Sequence, residues 1–142
     1  MLRNPSMQGR FRSAVDALDL VPAVVDDDPH TSTIVFVDRR PPDDGLVIPI
    51  TGELDRAGIE QLDRVVLEGM DSEPGARFVI VSLRTTGSAW PSSEDVELWR
   101  RLQAQHDEAS VPLLDWFIVA GDQAFSIAGG HFVGSRGGMA NG

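Results

Sequence analysis

The chain of 142 residues has no cysteine and no lysine, and no apolar run in it approaches the roughly eighteen consecutive residues that a membrane-spanning helix requires. Without cysteine there is no disulfide, no thiolate nucleophile and no sulfur-ligated zinc. Any catalytic or metal chemistry must come from histidines, carboxylates and hydroxyls. All twelve basic residues are arginine, set against 22 Asp and Glu, for a net charge of −10. Nucleic-acid binding draws its affinity from cations that neutralise phosphates, and these arginines form no cluster, so composition argues against a nucleic-acid partner. The segment MLRNPSMQGRFRSAVDALDL lacks the apolar centre of a secretory signal, which makes the cytoplasm the expected compartment.

Histidine is scarce as well. His30, His106 and His131 stand far apart, with no H-x-H or H-x-x-x-H pair among them. There is no G-x-S-x-G elbow for a nucleophilic serine. The glycine-rich end, GGHFVGSRGGMANG, does not follow a strand and open a helix, so it is no phosphate cradle.

What is present reads as one α/β (α+β) domain. Residues 1–32 carry a short amphipathic run, Pro22 and the acidic run Asp26-Asp27-Asp28. They are expected to be poorly ordered, the acidic run serving as a solvated linker. The domain proper is expected over 33–128 and a flexible tail over 129–142. Thr33–Asp38 and Leu46–Thr51 read as strands joined by a Pro/Asp/Gly turn, and Pro49 suggests an edge position, since proline cannot donate to a ladder. Ile59, Leu62, Val66 and Met70 fall at helical spacing. Arg77–Leu83 is nearly continuous in apolar character, as in a central strand covered on both faces. A helix is expected from Ser93 to His106, with Val96, Trp99 and Leu102 on one stripe. Two strands follow, Leu113–Val119 and Gln123–Ile127, with Gly121-Asp122 as the turn. The order β-β-α-β-α-β-β predicts three layers around a mixed sheet flanked by helices.

The stretch S-L-R-T-T-G-S-A-W-P-S-S-E-D, residues 82–95, carries the functional question. On local physics, Ser92-Ser93-Glu94-Asp95 is a helix cap: a serine hydroxyl accepts from an orphan backbone N–H, and carboxylates in the first turn complement the dipole. In its wider setting the stretch resembles the RadC-like branch of the JAB/MPN (JAMM) family, a cytidine-deaminase-like fold. That family's metal motif is H-x-H, seven residues, then S-x-x-D, with a glutamate upstream. The resemblance implies that the two imidazoles and the aspartate hold zinc, the serine supports the oxyanion, and the glutamate handles the proton of the metal-bound water.

Laid on this chain, Ser92 and Asp95 match S-x-x-D and Gly87 matches the loop glycine, but Ser82 and Arg84 stand at the two histidine positions. The upstream glutamate falls near Val47 or Ile48, and the nearby Glu53 lies on the wrong side of Gly52. Leu113-Leu114-Asp115 is similar to the family's L-L-D-H strand, with Trp116 in place of histidine. The resemblance, over roughly residues 33–127, therefore implies a degenerate member whose vestigial motif is Ser82, Arg84, Ser92 and Asp95. Arg84 is expected to face Asp95 and to supply by side chain the positive charge that the metal would bring.

The expected function is a catalytically inactive domain that binds a protein partner or associates with itself, with no cofactor. Arg84, Trp90, Asp95 and Trp116 are the candidate binding surface. The alternative is a metal-dependent, peptidase-like hydrolase with a rearranged zinc site drawn from Asp95, His106 and Asp115. DNA-repair-related nucleic-acid binding is a third reading, and it conflicts with the charge.

Overall fold

Strand β1 (Thr31–Asp38) and strand β3 (Arg77–Arg84) lie side by side in the middle of a sheet. Each alternates its apolar side chains between two faces, and both faces are covered. The computed structural model describes residues 11–40, 44–70 and 75–133. Six strands form one sheet in the order β2-β1-β3-β4-β5-β6, completed by β2 (Leu46–Thr51), β4 (Leu113–Ala120), β5 (Gln123–Ser126) and β6 (His131–Val133). Among the described residues only β3 and β4 pair in parallel, and the chain crosses between them through a helix, as parallel neighbours require. The sheet is mixed and the class α+β, as the element order predicts. Pro49 sits on β2, an edge strand, where proline is tolerated.

Helices α2 (Arg56–Gly69) and α3 (Ser93–Ala109) cover one face. There Val35, Val37, Phe78, Ile80, Trp116 and Ile118 pack against Ile59, Leu67, Leu98, Trp99 and Leu102. Leu98, absent from the expected stripe, is fully buried, while Val96 is only half-buried. A buried polar clamp ties the two helices together. His106 Nδ1 lies 2.9 Å from the Val111 carbonyl and must donate to it, and Nε2 lies 2.7 Å from Asp63 Oδ1, so one proton lies between imidazole and carboxylate. Gln105 Nε2 donates to the other Asp63 oxygen at 2.9 Å.

The opposite face bears on residues 11–32 of the segment expected to be poorly ordered, which here are built into the fold. Ile34, Phe36, Val79, Val81, Phe117 and Val119 are as apolar as their neighbours on the first face and need their own cover. Residues 11–27 supply it: a 3₁₀ segment, Ala14–Leu20, runs into α1 (Val21–Asp27), and Ala17, Leu18, Val21 and Val24 are buried on the sheet. Pro22 stands in the first turn of α1, where proline is tolerated, and breaks nothing. Phe11 is fastened by an ion pair across β1 and β3. Its N–H donates to Asp38 Oδ2 at 3.3 Å and its carbonyl accepts from Arg77 Nη2 at 2.8 Å, while Arg77 also pairs with Asp38. The acidic run closes this layer, with Asp28 accepting from the Thr51 hydroxyl at 2.5 Å. At the other end, residues 131–133 of the expected tail form β6, after a turn at Gly129-Gly130. Residues 1–10 and 134–142 lie outside the described residues, as do 41–43 of the turn at 39–45. Among the described residues no helix is long and apolar enough to cross a membrane.

Candidate functional site

The motif stretch leaves the C-terminal end of β3, turns through residues 85–92 and enters α3. Gly87 takes φ +83°, a left-handed conformation that side chains resist, so the loop needs glycine there. Ser92 is the N-cap of α3. The Asp95 N–H donates to Ser92 Oγ at 3.1 Å and the Ser92 N–H donates back to Asp95 Oδ2 at 2.9 Å, a reciprocal capping box. The plain reading of S-x-x-D as a cap is therefore realised in full.

Asp95 does more than cap. It is fully buried, and its second oxygen, Oδ1, accepts from two guanidinium groups: Arg84 Nη2 at 3.0 Å and Arg56 Nε at 2.9 Å. The facing of Arg84 and Asp95 predicted from sequence is present. Arg56 is an addition. It opens α2, 39 residues before Asp95, and also donates to Ser92 Oγ at 3.1 Å and lies 3.4 Å from Glu94. Burial alone would raise the Asp95 pKa, but the Ser92 N–H and the guanidiniums of Arg56 and Arg84 outweigh it and hold the carboxyl below the ordinary range.

The remaining motif positions are structural. Ser82 is buried and its Oγ accepts from Trp116 Nε1 at 2.9 Å. Trp116 has no exposed surface at all, which corrects its place among the candidate binding residues: the L-L-D-W strand β4 lies inside the sheet, and Trp116 points into the face covered by α2 and α3. Asp115 is buried too. It accepts from the Trp116 N–H at 2.7 Å, the Ala128 N–H at 3.0 Å and the Ser126 hydroxyl, and so ties β4 to the turn that follows β5. Burial raises its pKa, against the pull of these donors.

The rearranged metal set does not assemble. His106 lies eleven residues beyond Asp95 on one helix, about 16 Å along the axis at 1.5 Å per residue, and is taken up by Asp63 and Val111. Asp95 and Asp115 each have their own full set of donors. Among the described residues no group of three or more His, Asp or Glu side chains could hold a metal ion. At the family's own metal position the fit also fails. A hydroxyl bonded to an indole stands at one imidazole position and a guanidinium at the other, and both oxygens of Asp95 are already engaged. A dication beside Arg84 and Arg56 would meet two fixed positive charges.

Two surface features flank the 85–92 loop. On the side of β1 and β2 lies an open cleft of about 560 Å³, bounded by residues 29–33, 52–56 and 82–86 together with Ile59. Arg56, Ser82, Arg84 and the exposed Glu53 border it. On the side of β5 and β6, Trp90 is 63% exposed and leans over Phe125 and Phe132, with ring centroids 5.3 and 5.8 Å away; Phe132 is itself 40% exposed. Phe125 and Phe132 meet edge to face at 5.0 Å, so the three rings form one ledge.

Among curated proteins none matches this chain. Residues 48–132, more than half of the chain, match the model described as the RadC-like JAB domain, and the chain belongs to that family.

Proposed function

We propose that this RadC-like JAB domain is a cytoplasmic, catalytically inactive binding module that docks a protein partner through the Trp90 ledge. Trp90 carries the reading. A tryptophan and a phenylalanine left in solvent side by side, over a buried third ring, match the amphipathic anchors around which protein interfaces concentrate their binding energy. The arginines that hold Asp95 support inactivity, because the donors that peptidase chemistry would need from the motif are committed to the fold. The charge of −10 selects among occupants. Two copies of so acidic a chain repel each other, whereas a partner with basic residues around an apolar pocket is drawn in.

Site-specific photo-crosslinking in the source cells tests this. A benzophenone side chain placed at residue 90 is expected to capture one discrete partner, and the same group at Val65, an exposed apolar position on α2, is not. The captured species must lose its affinity for purified Phe132→Ala protein. Adducts shared equally by both positions, or a crosslink only to a second copy of the chain, would overturn the heterologous reading. Release of a peptide bond by the purified protein, sensitive to chelator, would overturn inactivity.

A further inference from the structure

An open sheet has two edges, each a row of backbone N–H and C=O groups that another chain can pair with, and folded proteins guard them. The edge at β2 is guarded: Pro49 stands in the strand, and the pairing with β1 shifts register between Thr31 and Thr33. The edge at β6 is not. His131-Phe132-Val133 contains no proline, arginine or acid, and it pairs with β5 in unbroken register, Val133 opposite Ala124, Phe132 opposite Phe125 and His131 opposite Ser126. Among the described residues no strand pairs with its outer side.

The aromatic ledge lies along this same edge. Phe125 packs on the face covered by α2 and α3, and Phe132, directly opposite it on β6, stands on that face too. Trp90 leans over both rings. A further strand beside β6 would lie about 4.8 Å out, and its residue opposite Phe132 would continue the row of side chains across the exposed rings. Charge favours a cationic segment there. Residues 85–93 and 113–133, which build the loop and this end of the sheet, contain no arginine, and Asp122 is exposed in the turn that opens β5. In a chain of net charge −10, that end attracts basic residues.

We propose that β6 takes up an extended segment of the partner protein as a seventh strand of the sheet, its apolar side chains alternating onto Phe132 and Trp90 and its ends carrying arginine or lysine. Backbone pairing along the edge supplies affinity, and the ledge supplies the preference for side chains. The inference rests on the reading of Trp90 as the partner's anchor and gives that contact its form, a strand and not a helix or a loop.

Titration of the ¹⁵N-labelled full chain with the capped peptide Arg-Val-Thr-Val-Thr-Val-Arg reads this directly, beside an analogue in which ester oxygens replace the three central amide N–H groups. The peptide is expected to shift the amides of residues 131–133 and the Trp90 indole N–H saturably, and to slow solvent exchange at β6. The ester has the same side chains and is expected to bind at least ~5-fold more weakly, the worth of one backbone hydrogen bond. The comparison needs no variant to fold. Equal affinity of peptide and ester, or no saturable binding, would overturn the proposal. So would β6 amides that are all protected from exchange in the free chain, or that move on dilution, since the edge would then be filled by the chain itself or by a second copy. Crosslinking from residue 90 that succeeds while the peptide fails would retain the partner and overturn the strand. Peptide binding with no capture from residue 90 would support the strand and overturn the partner reading.

Discussion

Replacing Asp95 by alanine removes a buried carboxylate on which three donors converge, and the cost can be built from its parts. Hydrogen bonds to charged groups contribute roughly 1.5–3 kcal/mol each. Arg56 and Arg84 are, however, 41% and 29% exposed, so water recovers much of what the two guanidiniums lose. Counting them at about half value, and adding roughly 1 kcal/mol for the capping box, gives about 3 kcal/mol. For a domain of this size that corresponds to a melting temperature lower by on the order of 10 °C. Urea unfolding followed by tryptophan fluorescence measures the difference. Asp95→Asn keeps the shape and one acceptor but loses the charge, so it should retain part of the stability.

The pH dependence sharpens the test. The folded Asp95 pKa lies below the unfolded value near 3.8, so its contribution is present above that value and is lost as pH falls through the folded pKa. The wild-type and Asp95→Asn curves should converge in acid. A deficit under ~0.5 kcal/mol at neutral pH, or one that does not shrink in acid, would refute the network as described.

Other perturbations give distinct outcomes. Asp63→Ala should cost about 3–5 kcal/mol in urea unfolding, because it strands His106 between α2 and α3, and pairing it with His106→Leu should recover much of the loss. Leu18→Ala should cost about 2–5 kcal/mol, with increased dye binding as the second face of the sheet loosens; a neutral result would mean that the N-terminal layer is dispensable. Asp115 has the opposite sign from Asp95. Its folded pKa is raised, so its stabilising influence is present at low pH and is lost as pH rises through the folded value. Relative to the wild type, Asp115→Asn should therefore become progressively more stable between acid and neutral pH, as calorimetry at several pH values would record.

Most of the sheet was legible in the sequence because period-two and continuous apolar runs announce strands directly. The match of Leu46–Thr51 and the placing of Pro49 at an edge show how far local rules reach. The N-terminal layer was not legible. Its helical turns are short, carry a proline that reads as a breaker in sequence, and are followed by acids, and only the apolar second face of β1, β3 and β4, far along the chain, calls for them. The Arg84–Asp95 pair could be read from a motif with fixed spacing. Arg56 could not, since nothing at the start of α2 signals a partner 39 residues away. Trp116 was misplaced because its position in the motif suggested the cleft, whereas strand alternation, counted from the buried Phe117, turns it into the α2 and α3 face.

The central claim is that arginine side chains have taken over the charge a metal brings to this motif. It is tested most directly by elemental analysis of untagged protein, before and after incubation with zinc and dialysis. The account predicts no bound metal in either sample. Close to one zinc per chain, lost in Asp95→Ala, would contradict it.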